Sequence, residues 1–180
     1  MLNLNETALV VIDVQGKLAQ VMHQKEALFE NLQKLIKGVQ VLELPILWNE
    51  QLPEKLGQTT PEIAQLLSHS AQPIAKSSFS CWGNPPFAAA LKETGRSQIL
   101  LTGIESHVCV YQTCCDLLEQ GYQVQIVTDA VSSRTAENRQ LGLERMKEAG
   151  ATLTSTEMAL FELLRVAEGP KFKEITRIVK

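Results

Sequence analysis

Short runs rich in leucine and β-branched residues alternate along this chain with segments whose apolar positions recur every three or four residues. That alternation predicts a parallel sheet covered by helices on both faces. The first run, Ala8-Leu9-Val10-Val11-Ile12-Asp13, is almost wholly apolar and ends in a carboxylate, as expected of a strand buried on both sides. Leu28, Leu32, Leu35, Val39 and Leu42 then fall on one helical stripe. Further strands are predicted over 45–48, 72–76, 98–103, 123–128 and 151–153. Thr60-Pro61-Glu62 has the form of a helix start, a hydroxyl cap followed by proline at the first helical position. Other helices are predicted over 86–93, about 106–119, about 135–149 and a last one ending at Leu164, where Thr154 and Glu157 have capping-box spacing. Residues 165–180 mix charged and apolar positions and yield no assignable element. The expected architecture is a three-layer α/β/α, Rossmann-like fold with a six-stranded, mostly parallel sheet. No repeat is visible and the loop-like stretch 49–60 is short, so a single domain is expected, with its core over about 7–164 and a tail over 165–180.

Composition narrows the function classes. The chain has 180 residues, 44% of them hydrophobic and 21% charged, which suits a globular protein with a substantial core. The net charge of −3 is spread without a long run of either sign, which disfavours nucleic acid and polybasic membrane attachment as partners. No apolar stretch approaches the roughly 20 residues needed to span a bilayer. The polar start, Met1 to Thr7, lacks the basic-then-apolar order of a secretory signal. Cys81, Cys109, Cys114 and Cys115 form no C-x-x-C pair and have no matching histidines, so neither a zinc site nor a disulfide framework is expected. Reduced thiols in the cytoplasm are the plain expectation.

In open parallel sheets, ligands bind beyond the carboxyl ends of the strands. Three reactive side chains fall there: Asp13 after the first strand, Lys76 after the third, and Cys109 within Gly103-Ile104-Glu105-Ser106-His107-Val108-Cys109 after the fourth. Cys109 is placed in the first turn of a predicted helix, where the helix dipole lowers a thiol pKa; the alternative is a buried packing cysteine. Asp13, closing an apolar strand, must be paired, hydrogen-bonded or functional. Its plain alternative is a cap or structural ion pair, and that of Lys76 is an exposed lysine. Together they are more informative, since an ammonium beside the carboxylate and thiol orients the base and favours charge. Gly103 permits a sharp turn, after which the backbone N–H groups of Glu105 and Cys109 can converge as an oxyanion hole. His107 stands two residues from Cys109, and residues two apart on a helix do not face each other, so it is read as a loop or surface residue. Phe79 and Trp82 are candidates for an apolar pocket wall or for ordinary core packing. Cys114 and Cys115 read as packing residues, and Cys81 has no activating context.

These motifs resemble the isochorismatase-like hydrolase superfamily, over nearly the whole chain from Thr7 to about Leu164. The resemblance is carried by Val10-Val11-Ile12-Asp13-Val14-Gln15, by Lys76-Ser77-Ser78-Phe79-Ser80, by Gly103 to Val110, and by Thr128-Asp129-Ala130 with Ser132, Ser133 and Arg134. It implies a catalytic triad of Asp13, Lys76 and Cys109, with Cys109 as nucleophile, Asp13 as general base and Lys76 stabilising the charged pair. It also implies a cis peptide between Ile104 and Glu105 that aims the Glu105 N–H alongside that of Cys109. Gln15, Gln51, Phe79 and Trp82 are the candidate substrate-binding residues, with Glu105 shaping the same pocket. Nicotinamidases in this superfamily bind a metal through an Asp-x-His motif and a further histidine after the second strand. Trp48-Asn49-Glu50-Gln51-Leu52-Pro53 has no histidine, so no metal and no other cofactor is expected. Isochorismatases proper cleave a vinyl ether without a nucleophilic cysteine, and Cys109 departs from that pattern too. The wording around Gly103 and Asn49 is similar to the isochorismatase-domain-containing subgroup. The implied activity is a metal-independent cysteine hydrolase of a small amide or related C–N bond, self-associating as a homo-oligomer. Two alternatives remain: a non-catalytic binding or assembly protein on the same scaffold, and a flavodoxin-like nucleotide binder. The second lacks a Gly-x-Gly-x-x-Gly or P-loop after the first strand.

Overall fold

The computed structural model describes residues Met1–Lys180. The apolar runs become β1 (Thr7–Ile12), β2 (Ile46–Gln51), β3 (Pro73–Lys76), β4 (Gln98–Ile104), β5 (Gln123–Ser132) and β6 (Thr152–Thr154). They form one sheet in the order β3-β2-β1-β4-β5-β6, with every neighbouring pair parallel. The strand order reverses between β1 and β4, the position where open α/β sheets leave a crevice for a ligand.

The helices are α1 (Gly16–Gln20), α2 (Lys25–Val41), α3 (Pro53–Leu56), α4 (Pro61–Leu67), α5 (Pro85–Glu93), α6 (Tyr111–Glu119), α7 (Ala136–Glu148), α8 (Thr156–Leu164) and α9 (Gly169–Val179). None is long and apolar enough to cross a membrane. Because successive strand residues point to opposite faces, β1 is divided between two cores. Leu9 and Val11 pack with Leu32, Ile36, Ile63, Leu160 and Ile175 from α2, α4, α8 and α9. Ala8, Val10 and Ile12 pack with Phe87, Leu91, Leu117, Leu143 and Met146 from α5, α6 and α7. Each such leucine or isoleucine taken fully out of water contributes about 1.5–3 kcal/mol.

β4 approaches β1 so closely at Gly103 that a Cβ there would lie 2.1 Å from Ile12 O. Its φ of +109° is a second reason for glycine.

Several expectations are corrected. β2 runs on through Asn49, Glu50 and Gln51, which pattern alone assigns to a loop. Hydrogen bonds make the buried Glu50 and Gln51 compatible with a strand. Glu50 Oε1 accepts from Thr59 N at 2.7 Å and from Thr59 Oγ1 at 2.8 Å, while Trp48 Nε1 donates to Thr59 Oγ1 at 2.8 Å. β5 likewise continues to Ser132. The helix expected from residue 106 begins instead with a wide π-type turn, Ser106–Val110, closed by Val110 N donating to Glu105 O at 3.3 Å. Thr154 stays in β6 opposite Val127, so Ser155 caps α8, accepting from Met158 N at 3.2 Å. The Thr60 hydroxyl caps nothing; Pro61 still stands at the first helical position of α4. The unassigned tail holds α9, whose Ile175 is buried against the α2 side of the core.

Candidate active site

The turn after β1 puts Asp13 in the left-handed region, φ +54°, a conformation that aspartate tolerates better than most residues. Gln15 N then donates to Asp13 O at 2.8 Å. The Gln15 side chain, fully buried, staples the neighbouring loops. Its Nε2 donates to Gln51 O at 3.1 Å and Gly57 O at 2.6 Å, and its Oε1 accepts from Gln51 N at 2.6 Å.

Lys76, at the end of β3, reaches across β2 to β1. Its Nζ donates to Asp13 Oδ2 at 2.7 Å, Gln51 Oε1 at 2.6 Å, Phe79 O at 3.1 Å and Ser78 O at 3.2 Å. The two charged side chains are almost wholly buried, 0% exposed for Lys76 and 3% for Asp13. A buried ion pair is tolerable only when its remaining hydrogen-bonding capacity is met, and four acceptors around three N–H groups meet that of the lysine. The carboxylate is different: Asp13 Oδ1 is buried and accepts no hydrogen bond of standard geometry. The Cys109 thiol nevertheless lies close enough for each group to shift the titration of the other.

Burial raises the Asp13 pKa, with the Lys76 ammonium opposing that rise. The expectation of a depressed Cys109 pKa is overturned. Burial first, and then the Asp13 carboxylate, push the thiol well above its ordinary range, against a smaller opposing pull from Lys76. Burial thus opposes the charged form of both the thiol and the carboxyl group. Burial also pushes Cys81 and Cys114 up to about 12, so neither competes as a thiolate.

Cys109 and Asp13 share a pocket of about 110 Å³. Gln51, Phe79 and Glu105 also line it, as do Leu18, Leu56, Ile104 and Val108. The Ile104–Glu105 peptide is cis. The Glu105 backbone N–H donates to no protein acceptor. The Glu105 side chain is held from behind: its Oε2 accepts from Arg134 N at 2.9 Å and Arg134 Nε at 3.2 Å. His107 Nδ1 bonds Ser133 Oγ at 3.0 Å, tying the turn to the segment after β5.

Asp13, Lys76, Cys109, Gln51, Glu105 and Phe79 are thus brought together, although Lys76 lies behind the carboxylate and not in the wall. Gln15 and Trp82 are not at the wall. Gln15 is spent on backbone groups, and Trp82 packs edge-on against Tyr122 with ring centres 5.9 Å apart and the Lys92 ammonium 5.2 Å over its ring. Leu18 and Leu56 escape sequence reasoning because α1 and α3 are too short for their apolar residues to show periodicity. Gly142 also escapes it. A Cβ there would lie 2.7 Å from Ser106 C and O and 2.9 Å from His107 N, so α7 presses directly on the backbone of the Cys109 turn.

Comparison with known proteins gives this arrangement a lineage. The Isochorismatase domain family model matches residues 7–158. The mouse isochorismatase domain-containing protein 2A is 38% identical over 176 residues, 96% of this chain and 82% of the relative. The MAR1 ribonuclease structure from Caenorhabditis elegans superposes with a TM-score of 0.90 at 36% identity, covering 99% of this chain and 91% of that one. YcaC from Pseudomonas aeruginosa, solved with hexane-2,5-diol and covalent acrylamide, gives a TM-score of 0.92 at 25% identity over 98% of this chain and 90% of that one. With a family match across most of its length and relatives of this identity along nearly all of it, the chain belongs to the isochorismatase family, whose members are generally hydrolases.

Proposed function

We propose that the chain hydrolyses a small amide or related C–N bond through a covalent thioester on Cys109. The observation that carries this reading is the buried Lys76–Asp13 pair, 2.7 Å apart, whose carboxylate has one unpartnered oxygen and shares the pocket wall with a single thiol, Cys109.

The chemistry follows from the raised thiol pKa. As Sγ bonds to the carbonyl carbon, the S–H proton passes to Asp13, and the carbonyl π electrons move onto oxygen. The unpaired N–H of Glu105, with that of Cys109, receives this oxyanion. Collapse expels the amine, which takes the proton from Asp13, and leaves the thioester. Water then gives a proton to Asp13 and adds its oxygen to the acyl carbon; the acid departs and the thiol is restored. The sum is amide plus water to acid plus amine. Lys76 keeps Asp13 ionised and oriented, since removing one partner of a buried pair strands the other charge.

The covalent acrylamide of the YcaC structure is compatible with an electrophile-accepting site on this scaffold. The C. elegans protein is named a ribonuclease. In this chain the pocket wall carries two carboxylates and no cationic side chain, which disfavours a phosphodiester.

Ammonia release and intact-protein mass spectrometry on acid-quenched reactions with a panel of small amides test the reading. Turnover with an acyl mass increment is expected for the wild type, and neither for Cys109→Ala. Turnover persisting in that variant removes the nucleophile assignment, and Cys109-dependent cleavage of single-stranded RNA without amide turnover replaces the substrate class.

A further inference from the structure

We infer that the substrate is an uncharged primary amide with a short, apolar acyl chain; this rests on the hydrolase reading above. The first support is size. At about 110 Å³ the pocket lies well below the ~300–1,000 Å³ of sites that take drug-sized ligands, so it encloses only a small molecule.

The second is the character of the wall. Leu18, Leu56, Phe79, Ile104 and Val108 form its apolar part. Leu56 and Phe79 remain 38% and 55% exposed, so they form an apolar rim against which a longer chain would lie as it leaves the enclosed part.

The third is charge and hydrogen-bonding capacity. The charged groups in the wall are Asp13 and Glu105, both acidic. Nearby cations are already engaged: Lys76 by Asp13, Gln51 and two carbonyls, and the Arg134 Nε by Glu105 from outside the wall. Gln51 is spent as well, its Oε1 on Lys76 and its Nε2 on Ser77 O at 2.8 Å. A carboxylate on the acyl chain would lose its hydration and find no cationic side chain in the wall to replace it, since both wall carboxylates already hold their own cations. An alkyl chain meets no such penalty.

Two experiments separate this inference from the reading beneath it. The first compares kcat/KM for acetamide, butyramide and succinamate. Butyramide is expected to exceed acetamide at least tenfold, at the lower edge of what added methylenes contribute in an apolar pocket, and succinamate to fall at least a hundredfold below butyramide. Phe79→Ala should lower the butyramide-to-acetamide ratio, a quantity unaffected by the folded fraction. Equal rates for acetamide and butyramide, or succinamate matching butyramide, overturn the inference and leave the hydrolase intact.

The second needs no turnover. Labelling of Cys109 by neutral iodoacetamide and by anionic iodoacetate is followed by mass spectrometry, each rate normalised to the same reagent on glutathione. A preference for iodoacetamide of at least tenfold is expected. That preference in a chain that turns over no amide would sustain the neutral pocket while sinking the hydrolase reading; no preference overturns the inference.

Discussion

The two faces of the sheet are built from the same kinds of residue and put to different uses. On one face, α2, α4, α8 and α9 cover Leu9, Val11, Trp48 and Leu100 with leucine, isoleucine and valine side chains. On the other, α5, α6 and α7 cover Ala8, Val10, Ile12 and Leu101, but this core also contains Cys81, Cys109 and Cys114. The first face reaches the pocket only through the apolar side chains of Ile104 and Leu18. The second continues at the carboxyl edge of the sheet into the buried ion pair, the Cys109 turn and the pocket. The candidate site lies where a core is interrupted by groups that burial penalises. An ion pair at 2.7 Å and a thiol held neutral need the surrounding packing to keep them in place.

The contrast can be broken most severely at Asp13. In the proposed mechanism Asp13→Asn removes the base, and amide turnover is expected to fall by about 10²–10⁴, the usual contribution of general acid–base catalysis. The same substitution removes the negative charge that raises the Cys109 pKa, while the Lys76 ammonium remains. The sign follows: a lower thiol pKa means more thiolate at a given pH, so iodoacetamide labelling at pH 8 should quicken as hydrolysis fails. In the wild type, with its raised pKa, the labelling rate should still be climbing beyond pH 9, where an ordinary thiol of pKa about 8.5 levels off. Labelling that slows in Asp13→Asn, or a wild-type profile that levels near pH 8.5, contradicts the neutral-thiol picture.

Leu32→Ala strikes the opposite face. Leu32 is fully buried in α2, and deleting such a side chain costs about 2–5 kcal/mol. Urea unfolding should show that loss, with the labelling profile of Cys109 unchanged in the folded fraction. A shifted profile would mean that the faces are not separable.

Gly142→Ala gives the smallest and sharpest separation. The residue lies inside α7 without a left-handed φ, so alanine should favour the helix by up to about 1 kcal/mol. The added Cβ, however, meets the backbone of Ser106 and His107, and must displace the Cys109 turn or α7. We expect turnover and Cys109 labelling to drop and the unfolding midpoint to fall by less than for Leu32→Ala, overpacking costing about 1–3 kcal/mol against the gain in helix propensity. Undiminished rates would show that α7 does not set the turn.

Much of this was legible in the sequence because it was written in local terms. Apolar runs such as Ala8–Ile12 have little choice but burial on both faces, and the stripe from Leu28 to Leu42 follows helical periodicity. Strand ends then marked Asp13, Lys76 and Cys109 as candidates. Local reading failed where a residue's partner was distant in the chain. Glu50 belongs to a strand because Thr59 satisfies it, and Gln15 staples two loops instead of facing the pocket. Trp82, apolar and near Lys76 in sequence, faces Tyr122.

The sequence by itself determined the alternation of elements, the family, and which reactive side chains end the strands, because hydrophobic period and motif order are properties of neighbours along the chain. Only the tertiary structure decided the strand order that sets β1 beside β4, the direction of the Cys109 pKa shift, and the two carboxylates and apolar rim of the pocket. Desolvation and Coulomb interactions depend on distance through space. A helix start that favours a thiolate on paper is overruled when folding buries the thiol next to a carboxylate from 96 residues earlier, position 109 less position 13.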